Sequence, residues 1–252
     1  MSRTILLDGD ITVYQLASKV ETPIDFGDGL WVLWADEKEA VGRLEDYLEN
    51  LKTDLGADRI IVALSDTKNF RKYILPSYKE NRKLKRKPMI LPSLRQYMVM
   101  KHDALIWSGL EGDDVLGIYG SEPNKNDERI IVSMDKDMKT VPCKLYNTKR
   151  PEDGIKTITE EEADYWHLFQ TLTGDVTDGY SGCPSVGEKT AKKILGDNPT
   201  WETVVDAYIK RGLTEDEALI QARVARILRF KDYDFVNNKP ILWESPNVTI
   251  QA

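Results

Sequence analysis

Apolar residues in this chain fall into two rhythms. Short unbroken runs at Thr4-Ile5-Leu6-Leu7, Arg59-Ile60-Ile61-Val62-Ala63-Leu64, Ala104-Leu105-Ile106-Trp107 and Arg129-Ile130-Ile131-Val132-Ser133-Met134 read as buried strands. Between the first two, Val41, Leu44, Leu48, Leu51 and Leu55 recur every three or four residues, which predicts an amphipathic helix opening at Asp36 and stopped by Gly56. Strand, helix and strand in that order form a parallel unit with a right-handed crossover. The polar, Gly- and Trp-containing stretch up to Ala35 reads as loop, Pro92 to Lys101 as helix, and Leu145-Tyr146 as a short edge strand.

The rhythm changes after residue 157 and becomes mostly helical. Thr159 and Glu162 form a capping box that opens a helix through Leu172, ending at Gly174. A glycine-bearing turn, Gly182 to Ala191, precedes a helix over Thr190 to Leu195. Thr214 to Phe230 reads as a last helix, with Leu219, Ala222, Ala225 and Leu228 on one face and Arg223, Arg226 and Arg229 scattered around it. The tail through Trp243 reads as packing. The pattern therefore divides the chain into an α/β core, 1–157, which includes a basic segment over 70–101, and a helical part, 158–252, whose turn-helix joint covers 182–195.

Acids recur where the apolar runs end, at Asp8, Asp66, Asp135 and Asp137, and again at Asp175 and Asp178 after the helix. Glu111, Asp113 and Asp114 add three carboxylates within four positions beside Val115 and Leu116. Carboxyl ends of strands are where α/β sheets build sites. Like charges held against a core repel and resist desolvation, so an oxygen-liganded cation such as Mg²⁺ or Mn²⁺ is the natural occupant. Taken singly, Asp113 or Asp114 is equally well explained as a helix cap. Glu111, Asp113 and Asp114 can converge only if Glu111 lies just before the helix and Gly112 bends the chain.

Net charge is −7 over 252 residues, which argues against a polyanionic partner until its distribution is considered. Between Lys79 and Lys87 stand six bases and one acid: Lys79, Arg82, Lys83, Lys85, Arg86 and Lys87 against Glu80. With Arg71 and Lys72 ahead of them and Tyr73 and Tyr78 interleaved, they suit phosphate contact and base stacking. Backbone N–H groups of the Gly182 to Gly187 turn and of the helix start at Thr190 could grip a phosphate, with Lys189 and Lys192 nearby, although such a joint is as often structural. Of the two histidines, His167 lies in an aromatic helical context that suits packing, so hydrolysis is better sought through a metal-activated water than through a histidine. Cys143 and Cys183 have no paired spacing that would suggest a zinc site or a disulfide framework. With no membrane-length apolar run and no leader pattern, a cytoplasmic location is expected.

In chain order, Leu7-Asp8-Gly9-Asp10, Asp66, Tyr78-Lys79-Glu80-Asn81-Arg82-Lys83, Glu111-Gly112-Asp113-Asp114-Val115 and Asp135-Lys136-Asp137 resemble the flap endonuclease and 5′→3′ exonuclease superfamily, most closely its T7-like phage exonucleases. Ala163 to Gln170, Thr173 to Gly182 and Ala225 to Phe230 continue the resemblance over most of the chain. It implies a parallel sheet with helices on both faces, a helical arch over the site and a helix-hairpin-helix for duplex DNA. It further implies two ions, one site taking Asp8, Asp66, Glu111, Asp113 and Asp135 with Asp114 adjoining, the other Asp137, Asp175 and Asp178 sharing Asp135. Lys79 and Arg82 would meet the scissile phosphate. Implied substrates are duplex DNA with a 5′ end or flap and RNA–DNA hybrids, cut by a monomer in the cytoplasm of a phage's host, with replication proteins as possible partners. Two other readings stay open on local evidence. Asp8-Gly9-Asp10-Ile11-Thr12 also fits an aspartyl phosphatase of the haloacid dehalogenase type with Asp8 as nucleophile, and the basic segment also fits a non-catalytic nucleic-acid-binding protein.

Overall fold

In the computed structural model, which describes residues 2–123, 126–197 and 199–246, the apolar runs gather into one sheet. Its strands are β1 (Ser2–Asp8), β4 (Arg59–Ala63), β5 (Asp127–Val132), β6 (Cys143–Tyr146) and β7 (Ile155–Ile158), in the spatial order β4-β1-β5-β6-β7. All neighbours pair in parallel except β6 and β7. β1 is the middle of the parallel part, which is why its apolar run is unbroken: both faces are covered. Ile5, Leu7, Val62, Ile130 and Val132 join one cluster, with α1 (Gly9–Val20), α2 (Glu37–Leu55) and α4 (Leu91–His102). Leu6, Ala63 and Ile131 face the other way, toward α5 (Gly112–Gly120). Each such side chain taken from water is worth about 1.5–3 kcal/mol, so the strand ends that carry the acids are firmly held.

The expected helix after Asp36 forms as read: Asp36 accepts the N–H groups of Lys38 and Glu39, and Gly56 closes it in a left-handed conformation. Four readings are corrected. The stretch before Ala35 is not loop but α1 followed by a hairpin of β2 (Thr22–Asp25) and β3 (Trp31–Trp34). Ala104–Trp107 contributes only a single parallel bridge, Leu105 with Ala63, because the chain turns away at Ser108 toward the site. Leu145-Tyr146 is not the edge, since β7 closes the sheet outside it. The last helix, α9 (Glu215–Ala225), stops at Ala225, and residues 227–233 return to pack beside α5. There Gly117 has no room for a side chain, since a Cβ would fall inside the carbonyl of Leu228.

The basic segment is built from α3 (Arg71–Ile74), a single 3₁₀ turn at Glu80–Arg82, and α4. The helical part contains α6 (Glu160–Thr173), α7 (Glu188–Leu195), α8 (Trp201–Ile209) and α9 around a core of Leu168, Leu172, Trp201, Val204 and Ala218. Thr159 and Glu162 make the capping box of α6 as expected. Both cysteines are buried and unpaired. No helix among the described residues is long and apolar enough to cross a membrane.

Candidate metal-binding active site

Asp8 ends β1 and caps α1, accepting the N–H of Ile11 at 3.0 Å and the hydroxyl of Ser133, from the end of β5, at 2.7 Å. Gly9 must follow, because a Cβ there would lie 2.7 Å from the carbonyl of Ala63. Burial, with Asp135 nearby, pushes the Asp8 carboxyl up to about 6. Asp113 is pushed well above the carboxylate range by burial and by Asp8, Asp135 and Glu111. Asp135 caps the 3₁₀ turn Lys136–Thr140 and accepts the N–H of Asp137 at 2.8 Å. Asp137, held by the amide of Gln170, rises to about 7 through burial and the charges of Asp135, Asp175 and Asp178. Asp135 thus acts on two sets of acids at once: Asp8 and Asp113 on one side, Asp137 on the other.

Glu111 stands just before α5, as convergence of the triplet requires. Burial would raise its pKa, but Lys79 and Arg71 outweigh this and hold it at about 2. The one O–H of Tyr78 is shared between Glu111 at 2.9 Å and Asp178 at 3.1 Å, and Lys79 pairs with both acids. Burial lowers the Lys79 ammonium, yet Glu111, Asp178 and Asp113 raise it further, so it stays charged. Arg82 pairs with Asp178. These contacts arise because two turns interlock: Lys79, at φ 56°, donates its N–H to Asp178 O at 2.7 Å, and Asn81 donates its amide to Val176 O at 2.9 Å. Lys136 pairs with Asp175 at 3.0 Å.

Several expected site residues have other duties. Asp114 is fully buried, gripped by Arg71 through two 2.7 Å bonds, and accepts the N–H groups of Glu111 and Leu228 at 3.1 Å, so no oxygen faces an ion. Arg71, 2% exposed, also donates to the carbonyls of Val224 and Arg226 and cannot reach DNA. Tyr78, also 2% exposed, is no stacking platform, whereas Tyr73 is 88% exposed. The N–H of Gly182 is taken by Gln221 at 2.9 Å, and its neighbours Thr173 and Gly174 pack against it, so it grips no phosphate. Arg226 and Arg229 are buried against Asp232 and Thr140 rather than displayed. Asp66 lies three residues past β4 and directs one oxygen to Gly109 N at 2.8 Å and the other to Thr67 N at 2.7 Å, which hold it below the ordinary range.

Lys72, Lys83, Lys85 and Lys87 are exposed, and Arg86 is clamped on Glu21. Gly187, the N-cap of α7, is exposed together with Lys189 and Lys192, with Thr190 half-buried. His167 packs as expected: burial lowers it to about 3 and it bonds to the carbonyl of Ala222. Asp10 pairs with Arg95 and accepts the N–H of Ser65 at 2.7 Å. Both its oxygens are thereby occupied.

Among the described residues, no three His, Cys, Asp or Glu side chains are drawn together tightly enough to close around one ion. The donor chemistry nevertheless fits a hard divalent cation. Asp8, Glu111, Asp113, Asp135, Asp137, Asp175 and Asp178 are all oxygen donors, and Asp8, Asp113 and Asp137 are pushed toward protonation by burial and then by neighbouring acids.

Residues 3–164 match the family described as 5′-3′ exonuclease, N-terminal resolvase-like domain. The exodeoxyribonuclease of Enterobacteria phage T3 is 33% identical over 282 aligned positions, covering 95% of this chain and 92% of the relative. The exonuclease of Escherichia phage T7 is likewise 33% identical, with the same coverage of both chains. The T5 D15 protein, co-crystallised with metal ions, superposes with a TM-score of 0.63 at 15% identity over 88% of this chain and 89% of that one, and so shares the fold. Sheet order, acids at the strand ends, and a match across nearly the whole length lead to one assignment: the chain belongs to the 5′-3′ exonuclease family.

Proposed function

We propose that this chain is a divalent-metal-dependent nuclease that hydrolyses DNA phosphodiester bonds from 5′ ends or flaps and also removes RNA from RNA–DNA hybrids. The observation that carries the reading is the position of Asp135 between two groups of mutually repelling buried acids. Asp8, Glu111, Asp113 and Asp135 would hold one Mg²⁺ or Mn²⁺ ion, with Asp66 beside them. Asp135, Asp137, Asp175 and Asp178 would hold another. Such a pair supplies a nucleophile at neutral pH and neutralises charge on the phosphate.

The chain's own residues prepare this site. Ser133 orients Asp8, Gln170 orients Asp137, and Tyr78 ties Glu111 to Asp178. Lys79 and Arg82, charged and already among the acids, are placed to stabilise the phosphate as its charge grows, a contribution worth several kcal/mol in related sites. Lys72, Lys83, Lys85 and Lys87 would track the strand backbone with Tyr73 stacking, while Gly187, Lys189, Thr190 and Lys192 at the start of α7 would hold the duplex. Residues 1–157 then carry hydrolysis and 158–252 the grip, in a monomer acting in a host cytoplasm beside replication proteins; 247–252 lie outside the described residues.

Hydrolysis of 5′-labelled duplex, flap and RNA–DNA substrates with Mg²⁺ tests this. Asp135→Asn should lose at least about a hundredfold in rate, the order seen when one electrostatic stabiliser is removed. Undiminished cleavage would overturn the reading.

A further inference from the structure

Within the nuclease reading above, one cation of the acidic cleft differs from the others. Lys79 is pinned through its backbone to Asp178, and Arg82 is held by the carbonyl of Thr177 at 3.1 Å as well as by Asp178. Lys136 has a side chain that is 72% exposed, and among the described residues its ammonium forms an ion pair with Asp175 Oδ2 only, at 3.0 Å. Asp175 is itself almost buried, and its other oxygen, Oδ1, is spent on the N–H groups of Thr177 at 2.7 Å and Asp178 at 3.3 Å. Asp175 therefore presents one oxygen to the cleft, and Lys136 covers it.

We propose that Lys136 is a built-in counter-ion that competes with a divalent cation for Asp175 Oδ2, and so sets the affinity of the ion site formed by Asp135, Asp137, Asp175 and Asp178 while leaving the other site alone. The ammonium rides on a flexible stem and can swing into water without disturbing its neighbours. The turn that carries it is fixed independently, by Asp135 to Asp137 N at 2.8 Å and by Thr140 Oγ1 to Asp137 O at 2.8 Å. An ion pair with one exposed partner is weak, so Lys136 yields to a divalent ion yet still biases its binding. It is a positioning residue, not a catalytic one: its direct contact is with Asp175, and Asp137 and Asp135 feel only its charge.

Mn²⁺ binding to the full-length protein without DNA tests this, with free Mn²⁺ followed by electron paramagnetic resonance for wild type, Lys136→Met and Lys136→Arg. Wild type should show a tighter and a weaker ion. Lys136→Met should tighten the weaker one about fivefold, the scale of an exposed pair, leave the tighter one unchanged, and keep the wild-type melting temperature within a few degrees. Lys136→Arg should retain the wild-type weak affinity. If Lys136→Met leaves the weaker ion unchanged or loosens it, or tightens both ions equally as general charge would, the competition is refuted while the nuclease reading stands. If wild type binds no second ion, the two-ion reading falls and takes this inference with it.

Discussion

Replacing Arg71 separates two roles that a basic, aromatic-flanked segment could play. Its guanidinium makes two 2.7 Å bonds to Asp114 and further bonds to the carbonyls of Val224 at 2.9 Å and Arg226 at 2.6 Å. Burial lowers its pKa, but Asp114 more than compensates, so the pair is ionised. Arg71→Met strands a buried carboxylate and two carbonyls. Loss of one partner of a buried pair costs about 3–5 kcal/mol, a large part of a typical total stability of roughly 5–15 kcal/mol. Because Asp114 also accepts the N–H of Leu228, the loss should reach the returning segment 227–233 as well as α5. Urea unfolding of Arg71→Met beside Lys72→Met is the assay. Arg71→Met should shift the midpoint by that amount. Lys72→Met should leave the midpoint alone and weaken DNA binding, with a salt dependence shallower by about 0.9 for one lost phosphate contact. Replacing both partners, Arg71→Met with Asp114→Leu, should recover part of the loss, since an apolar pair carries no stranded charge. A wild-type urea midpoint for Arg71→Met would refute the structural role.

Two further outcomes follow from the same geometry. Asp8 and Asp137 titrate near 6 and 7 when folded against an ordinary 3.8, so the folded protein binds protons more tightly and loses stability as pH rises through that window. In EDTA, urea melts should therefore show stability falling by on the order of 6 kcal/mol between about pH 4 and 7, and Mg²⁺ at pH 7 should restore it; a flat or rising profile would contradict the clustering. Glu111 works in the opposite sense but lower, its contribution being lost only as pH falls below the ordinary 4.5 toward 2. Gly117→Ala should destabilise by about 3 kcal/mol through overpacking against Leu228, read as a lower thermal midpoint; an unchanged midpoint would mean that the 227–233 segment is not seated there.

What the sequence showed clearly was local. Asp36, Gly56, Thr159 and Glu162 act within a few residues of themselves, so the helix ends could be read directly. The unbroken runs of β1 and β5 announced strands buried on both faces, and acids at their ends announced a site. Long-range pairing was not legible. Arg71 sits in a basic stretch yet serves an acid 43 positions away, and the one hint was Asp114 itself, an acid directly ahead of Val115 and Leu116 in an apolar run. Tyr78 looked like a stacking ring because its two partners, Glu111 and Asp178, lie 33 and 100 positions on. Ser133, Gln170 and Lys136 lie in runs the sequence singles out, yet as ordinary polar residues they suggest no role there; their partners Asp8, Asp137 and Asp175 show it. The hairpin of β2 and β3 was missed because Trp31-Val32-Leu33-Trp34 is apolar but largely exposed, so burial, which makes apolar runs readable as strands, does not apply there.

Asp135 is proposed to serve two ion sites at once. A crystal grown with Mn²⁺ and measured for anomalous scattering tests it most directly. Two peaks about 3.5–4 Å apart are predicted, both in contact with Asp135, one also with Asp8 or Asp113 and the other with Asp137 or Asp175. A lone peak that does not touch Asp135, or no peak among these acids, would contradict it.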